Sequence, residues 1–149
     1  MSYTYEYPRP AVTVDAIILR HHEKNTEILL IKRLHPPFEG MWAIPGGFIN
    51  LDETLEEAAA RELEEETGLK GIKLEQFGIF DEPDRDPRQR TIAIVFLGFL
   101  NDNSKNPAAA DDASECRWFD INSIPELAFD HNKILGEAIK YAQTRNMLY

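Results

Sequence analysis

"GGFINLDETLEEAAARELEEETGLK", residues 46–70, decides how this chain is read. Between Gly47 and Leu69 it carries Asp52, Glu53, Glu56, Glu57, Glu62, Glu64, Glu65 and Glu66 against the single Arg61, a net of −7 in a chain whose formal net charge is −10. The same residues bear the marks of a helix. Thr54 and Glu57 are spaced as N-cap and N3 of a capping box, and Gly68 stands where a left-handed residue would end the helix. At about 100° per residue, with Glu62 as origin, Glu65 falls at about −60° and Glu66 at about +40°. Leu55, Ala58, Ala59 and Leu63 lie on that same side, whereas Glu57 and Glu64 lie opposite, where solvated charge belongs. Three carboxylates therefore share the apolar face. Like charges at these spacings repel even when exposed, and crowding them near a core without a partner costs far more. A cation resolves the conflict. Carboxylate oxygens select a hard ion such as Mg²⁺ or Mn²⁺ rather than zinc, and such ions commonly serve phosphate chemistry. Gly47 permits close backbone approach, the Gly46 carbonyl can face a metal, and Arg61 can bridge to Glu53.

The rest of the chain sets the frame around this helix. Its 149 residues suit one domain, 1–149, and 43% hydrophobic content is enough for one core. No stretch approaches the roughly 18 apolar residues of a membrane span, no basic and apolar leader opens the chain, and a soluble, cytoplasmic protein is expected. Cys116, the only cysteine, excludes an intrachain disulfide and an all-cysteine zinc site. A pI near 4.8 without a basic stripe argues against a nucleic-acid polymer as partner. Residues 11–20 and 27–33 read as antiparallel strands around a polar turn, "MWAIPGG" (41–47) as a short extended piece, and 72–80, 91–100 and 115–120 as further strands. The nearly all-apolar 91–100 is expected to be central. Asp130 is placed to cap a last helix that buries Ile134, Leu135, Ala138, Ile139 and Ala142. The result is a mixed sheet with helices packed on its faces.

Gly47, five residues, Glu53, seven residues, then Arg61-Glu62-Leu63, Glu64, Glu65-Glu66, Thr67 and Gly68-Leu69 resemble the Nudix box at every defined position. The flanks, "WAIPGG" before it and "WF" with a proline-containing turn and a helix after it, are similar to that family as well. The resemblance implies an α+β fold, a Nudix-type α/β/α sandwich, and hydrolysis of nucleoside diphosphates linked to a second moiety. It further implies Glu62, Glu65, Glu66 and the Gly46 carbonyl as ligands of Mg²⁺, with Mn²⁺ as the alternative. The loop "DEPDRDPRQR" (81–90) and "LAFDHNKIL" (127–135) look like those of ADP-ribose pyrophosphatases and related regulators of NAD metabolism. ADP-ribose, cleaved to AMP and ribose 5-phosphate, is the substrate so implied.

Arg85, Arg88 and Arg90 suit the anionic part of such a ligand through forked hydrogen bonds. The competing reading is a surface hairpin in which they balance Asp81, Glu82, Asp84 and Asp86. Arg33 and His35 are further candidates for ligand contact. Phe48 is a candidate for stacking on a base, as are Phe80 and Trp42, for which core packing is the competing use. Glu65 and Glu53 within the box, or Glu115 or Asp112 outside it, are candidates to orient or deprotonate the attacking water, with Arg61 supporting them. His131 is expected to pack or cap rather than catalyse. The N-terminal "YTYEYPRPAVTVD" (3–15) is too aromatic for a disordered tail, so it is expected to cover the sheet edge or cross to a second copy. A homodimer is expected, as the resemblance also implies. Hydrolysis of another nucleotide is the nearest alternative. An ADP-ribose-sensing regulator would carry a winged-helix extension after the domain, and a non-catalytic module would show substitutions in the box; the sequence to Tyr149 shows neither.

Overall fold

The computed structural model describes residues 2–101, 107 and 113–148. Their elements run β1 (Ala11–His22), β2 (Asn25–Arg33), β3 (Trp42–Ala43), β4 (Gly46–Phe48), α1 (Leu55–Thr67), β5 (Glu75–Phe80), β6 (Thr91–Phe99), β7 (Ala113–Asp120) and α2 (His131–Thr144). All seven strands join one mixed sheet with the path β3-β2-β1-β6-β5, while β4 pairs with β1 and β7 with β2. As expected, β6 is interior. It lies parallel to β1 from Ala11↔Thr91 to Leu19↔Phe99 and antiparallel to β5 on its other side.

Strand alternation sorts β1 between two cores. Ile17 and Leu19 join Ile28 and Leu30 of β2, and Val95 and Leu97 of β6, beneath Ile134, Leu135 and Ala138 of α2. Val14, Ala16 and Ile18 join Leu29, Ile94 and Phe96 beneath Ala58, Ala59 and Leu63 of α1. One helix thus covers each face. On the edge away from β6, β1 pairs with β2 at residues 19–22 and with β4 at residues 13–15. This change of partner brings the glycines of β4 beside Asp15.

Both ends of α1 form as expected. The Thr54 hydroxyl accepts from the Glu57 N–H at 3.1 Å, the Glu57 carboxylate accepts from the Thr54 N–H at 2.9 Å, and Gly68 is left-handed at φ 76°. Two expectations are corrected. The fifth strand starts at Glu75, not at residue 72, because residues 72–74 pack over the sheet: a Cβ on Gly98 would lie 2.9 Å from the Lys73 carbonyl and 3.0 Å from the Ile72 and Leu74 side chains. Asp130 occupies the N-cap position of α2, yet its carboxylate makes no capping bond because Arg85 takes both of its oxygens. Residues 2–10 of the N-terminal arm are all exposed.

Two buried titratable groups oppose each other across pH. His131 accepts the Ile44 N–H on Nδ1 at 3.0 Å, and burial drives its pKa from 6.5 down to about 3. Burial raises Asp15 from 3.8 to about 7; the charge of Arg85 lowers it, and Asp130 and Glu62 raise it. Between pH 3.8 and 6.5 the unfolded chain holds an extra proton on His131, so that group destabilises the fold as pH falls. The folded chain holds an extra proton on Asp15, which has the opposite effect. Each slope approaches about 1.4 kcal/mol per pH unit, so the two largely cancel. Urea unfolding in chelator should therefore show His131→Gln gaining stability relative to the unmodified protein as pH falls through that window, and Asp15→Asn losing it. Parallel pH profiles for all three proteins would refute the opposition.

Candidate active site

A cavity of about 360 Å³ opens where β1, β4, α1, the 81–90 loop and the start of α2 meet. Thr13 and Asp15 line it from β1, Gly46, Gly47 and Phe48 from β4, and Arg61, Glu62 and Glu66 from α1. Arg85, Asp86 and Arg88 come from the loop, Phe129 and His131 from the approach to α2, and Arg33 and His35 from the end of β2 and the turn after it.

The acidic wall depends on close packing. An ideal Cβ on Gly46 would lie 2.2 Å from Asp15 Oδ1, and one on Gly47 would lie 2.6 Å from Glu62 Oε1 and Oε2. At Gly46 a side chain would also strike the Val14 carbonyl at 2.3 Å, so the backbone excludes it, whereas at Gly47 it would displace the Glu62 carboxylate. Glu66, 6% exposed, accepts the Gly46 N–H on Oε1 at 2.7 Å. Glu62 and Glu65 are only partly exposed, whereas Glu57 and Glu64 are exposed, in agreement with the helical phase. Arg61 gathers much of this wall. Its Nε and Nη2 donate to Glu53 at 2.6 to 3.2 Å, Nη1 donates to Glu62 at 2.8 Å and Glu65 at 3.2 Å, and Nη2 also donates to the Phe48 carbonyl at 3.1 Å. Those bonds, with a backbone bond from Asn50, hold the Glu53 carboxyl down at about 2.

The expected metal ligands are thus neighbours on one face. Among the described residues, however, no three acidic, imidazole or thiol groups form a ready-made metal cage. Glu62 and Glu65 are drawn to Arg61 Nη1, and Glu66 to a backbone N–H. The donor set still suits a hard divalent ion: it is all oxygen, and the missing side chain at Gly47 is what lets the Glu62 carboxylate lie over the strand. Three glutamates near the C-terminal end of α1 also oppose the helix dipole, a cost that a bound cation would offset.

The arginines that line the same cavity are already paired. Arg85, with a side chain only 4% exposed, donates from Nε to Asp130 Oδ2 at 3.0 Å and from Nη2 to Oδ1 at 2.8 Å. Arg88 makes the same forked pair with Asp86. Arg33 donates to the carbonyls of Pro37 and His35, and its guanidinium lies 4.9 Å from the Phe129 ring centroid.

Other candidates lie elsewhere. Arg90 donates to the Asp81 carbonyl and does not line the cavity. Glu65, 43% exposed in its side chain, and Glu53 are likewise outside the lining, reached through Arg61. Glu115 is on β7, paired with Arg117 at 2.7 Å and also outside the lining; Asp112 lies outside the described residues. Phe80 is core, and Trp42 packs edge-on against Phe119 at 4.9 Å. The sequence reading missed Asp15, Asp86 and Phe129 as cavity-lining residues, and Asp130 as the partner that holds Arg85. Only Asp15 carried a local signal, an acid within an otherwise apolar strand.

The chain matches the NUDIX domain over residues 9–140. It is 47% identical over 135 residues to the ADP-ribose pyrophosphatase of Methanocaldococcus jannaschii, spanning 91% of this chain and 76% of that protein. It is 32% identical to the ADPR responsive transcriptional repressor NtrR of Acinetobacter baylyi, covering 89% of this chain and 54% of the repressor. Among solved structures, the NUDIX domain of Shewanella oneidensis NrtR complexed with ADP ribose superposes with a TM-score of 0.84 at 27% identity, covering 91% of this chain and 90% of that one. A glycine pair that seats two helix carboxylates against the sheet, followed by the matching box, makes this chain a member of the Nudix family.

Proposed function

We propose that this protein is a cytoplasmic pyrophosphohydrolase that cleaves ADP-ribose to AMP and ribose 5-phosphate. The observation that carries the reading is the one cavity lined by the box carboxylates Glu62 and Glu66 and by Arg85 and Arg88. Resemblance to the pyrophosphatase of M. jannaschii supports the choice of substrate. Glu62, Glu65, Glu66 and the Gly46 carbonyl would hold Mg²⁺ or Mn²⁺, which when bound neutralises phosphate charge and acidifies water. Arg88 and Arg85 hold the anionic ligand, with Arg33 and Phe48 at its margins. Glu65, the most exposed of the three box carboxylates, takes the proton of the attacking water as the bridging P–O bond breaks. Glu53, ionised by its bonds to Arg61, serves to fix that arginine rather than to accept a proton.

Incubation with ADP-ribose and either ion, with AMP and ribose 5-phosphate quantified, tests the reaction directly. Tight binding of ADP-ribose without product would favour a sensor. Glu66→Gln retains an acceptor for the Gly46 N–H but loses the charge, so turnover should drop by orders of magnitude with the fold intact, and Glu65→Gln should behave alike. Exposed Glu64→Gln should stay within about 0.5 kcal/mol in stability and near normal in rate. Equal damage at all three positions would show that the helix, not a metal platform, had been disturbed.

Loop substitutions separate the arginines. Arg88→Ala should reduce kcat/KM for ADP-ribose about tenfold, the loss of one charge-assisted hydrogen bond. Arg85→Ala should also lower thermal stability, since it leaves Asp130 without its partner. Arg90→Ala should change neither. A defect confined to Arg90 would place the ligand outside this cavity.

We further propose a homodimer. In the single chain Tyr3, Tyr5 and Tyr7 are 59%, 46% and 72% exposed, a run of aromatic surface that a second copy would cover. Deleting residues 1–9 should weaken association and activity together. Light scattering that returned a mass near 17.1 kDa at full activity would exclude the dimer.

A further inference from the structure

The 81–90 loop contains a carboxylate that a surface hairpin has no reason to bury. Asp86 has a side chain only 2% exposed. Its Oδ1 accepts the backbone N–H of Arg88 at 2.9 Å and Arg88 Nε at 3.0 Å, while Oδ2 accepts Nη2 at 2.8 Å. The segment Asp86-Pro87-Arg88 therefore closes on itself. Burial alone would raise the Asp86 pKa, but the side-chain and backbone bonds from Arg88 and the charge of Arg85 leave it lowered. The guanidinium held in this way is flanked by two rings, Phe48 of β4 at 4.8 Å and Phe129 before α2 at 5.3 Å. Nη1 makes no hydrogen bond to another described residue. Asp86 and both rings line the cavity together with Arg88.

We infer that Asp86 is a positioning residue: by forking to Arg88 between Phe48 and Phe129, it sets Nη1 in one orientation toward the anionic part of the ligand before the ligand arrives. An unheld arginine would have to be ordered on binding and would offset part of its own contact, whereas this one is ordered beforehand. Removal of Asp86 therefore acts on ligand affinity through Arg88 and leaves the reacting end untouched. The inference rests on ADP-ribose as ligand of this cavity.

The test is a double-mutant cycle of Asp86→Asn and Arg88→Met, read as KM and kcat for ADP-ribose hydrolysis and as Kd by calorimetry. Asparagine retains an acceptor for the Arg88 backbone N–H but faces Nη2 with an amide, so the turn survives and the fork is lost. Asp86→Asn should raise KM and Kd about tenfold with kcat within about twofold, and should add nothing in the Arg88→Met background. Arg88→Lys, which keeps the charge without the fork, should resemble Asp86→Asn and guards against a variant that folds poorly. The Arg88 Nη2 protons, whose acceptor Oδ2 becomes an amide nitrogen, should exchange slowly in the unmodified protein and quickly in Asp86→Asn. Unchanged KM and Kd in Asp86→Asn, the same factor repeated on top of Arg88→Met, or wild-type affinity in Arg88→Lys would each overturn the inference. Binding of ADP-ribose without turnover by the unmodified protein would remove the hydrolase reading alone, and the cycle on Kd would still decide the role of Asp86.

Discussion

Two hydrogen atoms set the spacing on which the site depends. At Gly46 any side chain would collide with Asp15 and the Val14 carbonyl, so β4 can lie against β1 there only as glycine, and at Gly47 a side chain would push the Glu62 carboxylate from its place. That contact brings a strand acid and two helix acids into one cavity and lets Glu66 bond the β4 backbone. Just before the pair, Ile44 donates its N–H to buried His131, which ties the entry of β4 to the first turn of α2. Helices on opposite faces of the sheet are thereby referred to the same three residues of backbone.

Charge follows from this crowding. Arg61 is shared by Glu53, Glu62 and Glu65, Arg85 is forked to Asp130, and Arg88 is forked to Asp86. Pairs of this kind give little net stability, because desolvation offsets most of the attraction. What they provide is orientation. The guanidinium groups are set in their orientations, and Glu53, Glu62 and Glu65 are turned toward Arg61. Among the described residues Asp15 has no such fork, and burial raises its pKa against the charge of Arg85.

The helix was legible because its information is local. Capping residues three apart, a left-handed glycine and a 3.6-residue period placed the buried and exposed glutamates on the correct sides before any packing was known. The resemblance of the box likewise lies within one short stretch. What escaped the sequence reading is long-range. Nothing near Asp130 indicates that an arginine 45 residues away will claim its carboxylate, so it reads as an ordinary cap. Arg85, Arg88 and Arg90 look equivalent in the string, and only the fold separates a buried pair, a flanked guanidinium and a loop tie. Residues 72–74 have the composition of a strand and spend it on packing across Gly98.

The parallel pairing of β1 with β6 bears on how the molecule is assembled in time. Every pair in that ladder, from Ala11↔Thr91 to Leu19↔Phe99, joins residues 80 positions apart. Closing so long a segment costs chain entropy before the ladder repays it, which slows folding relative to chains built from neighbouring contacts. The β1–β2 hairpin and the capped helix α1 need no such closure and can form from local sequence. The cavity has no such early form: its carboxylates come from the first half of the chain and Arg85 and Arg88 from the β5–β6 loop, and the two sets meet only when β6 pairs with β1. A partly folded molecule therefore holds the box apart from those arginines, and the cavity exists only in the finished fold.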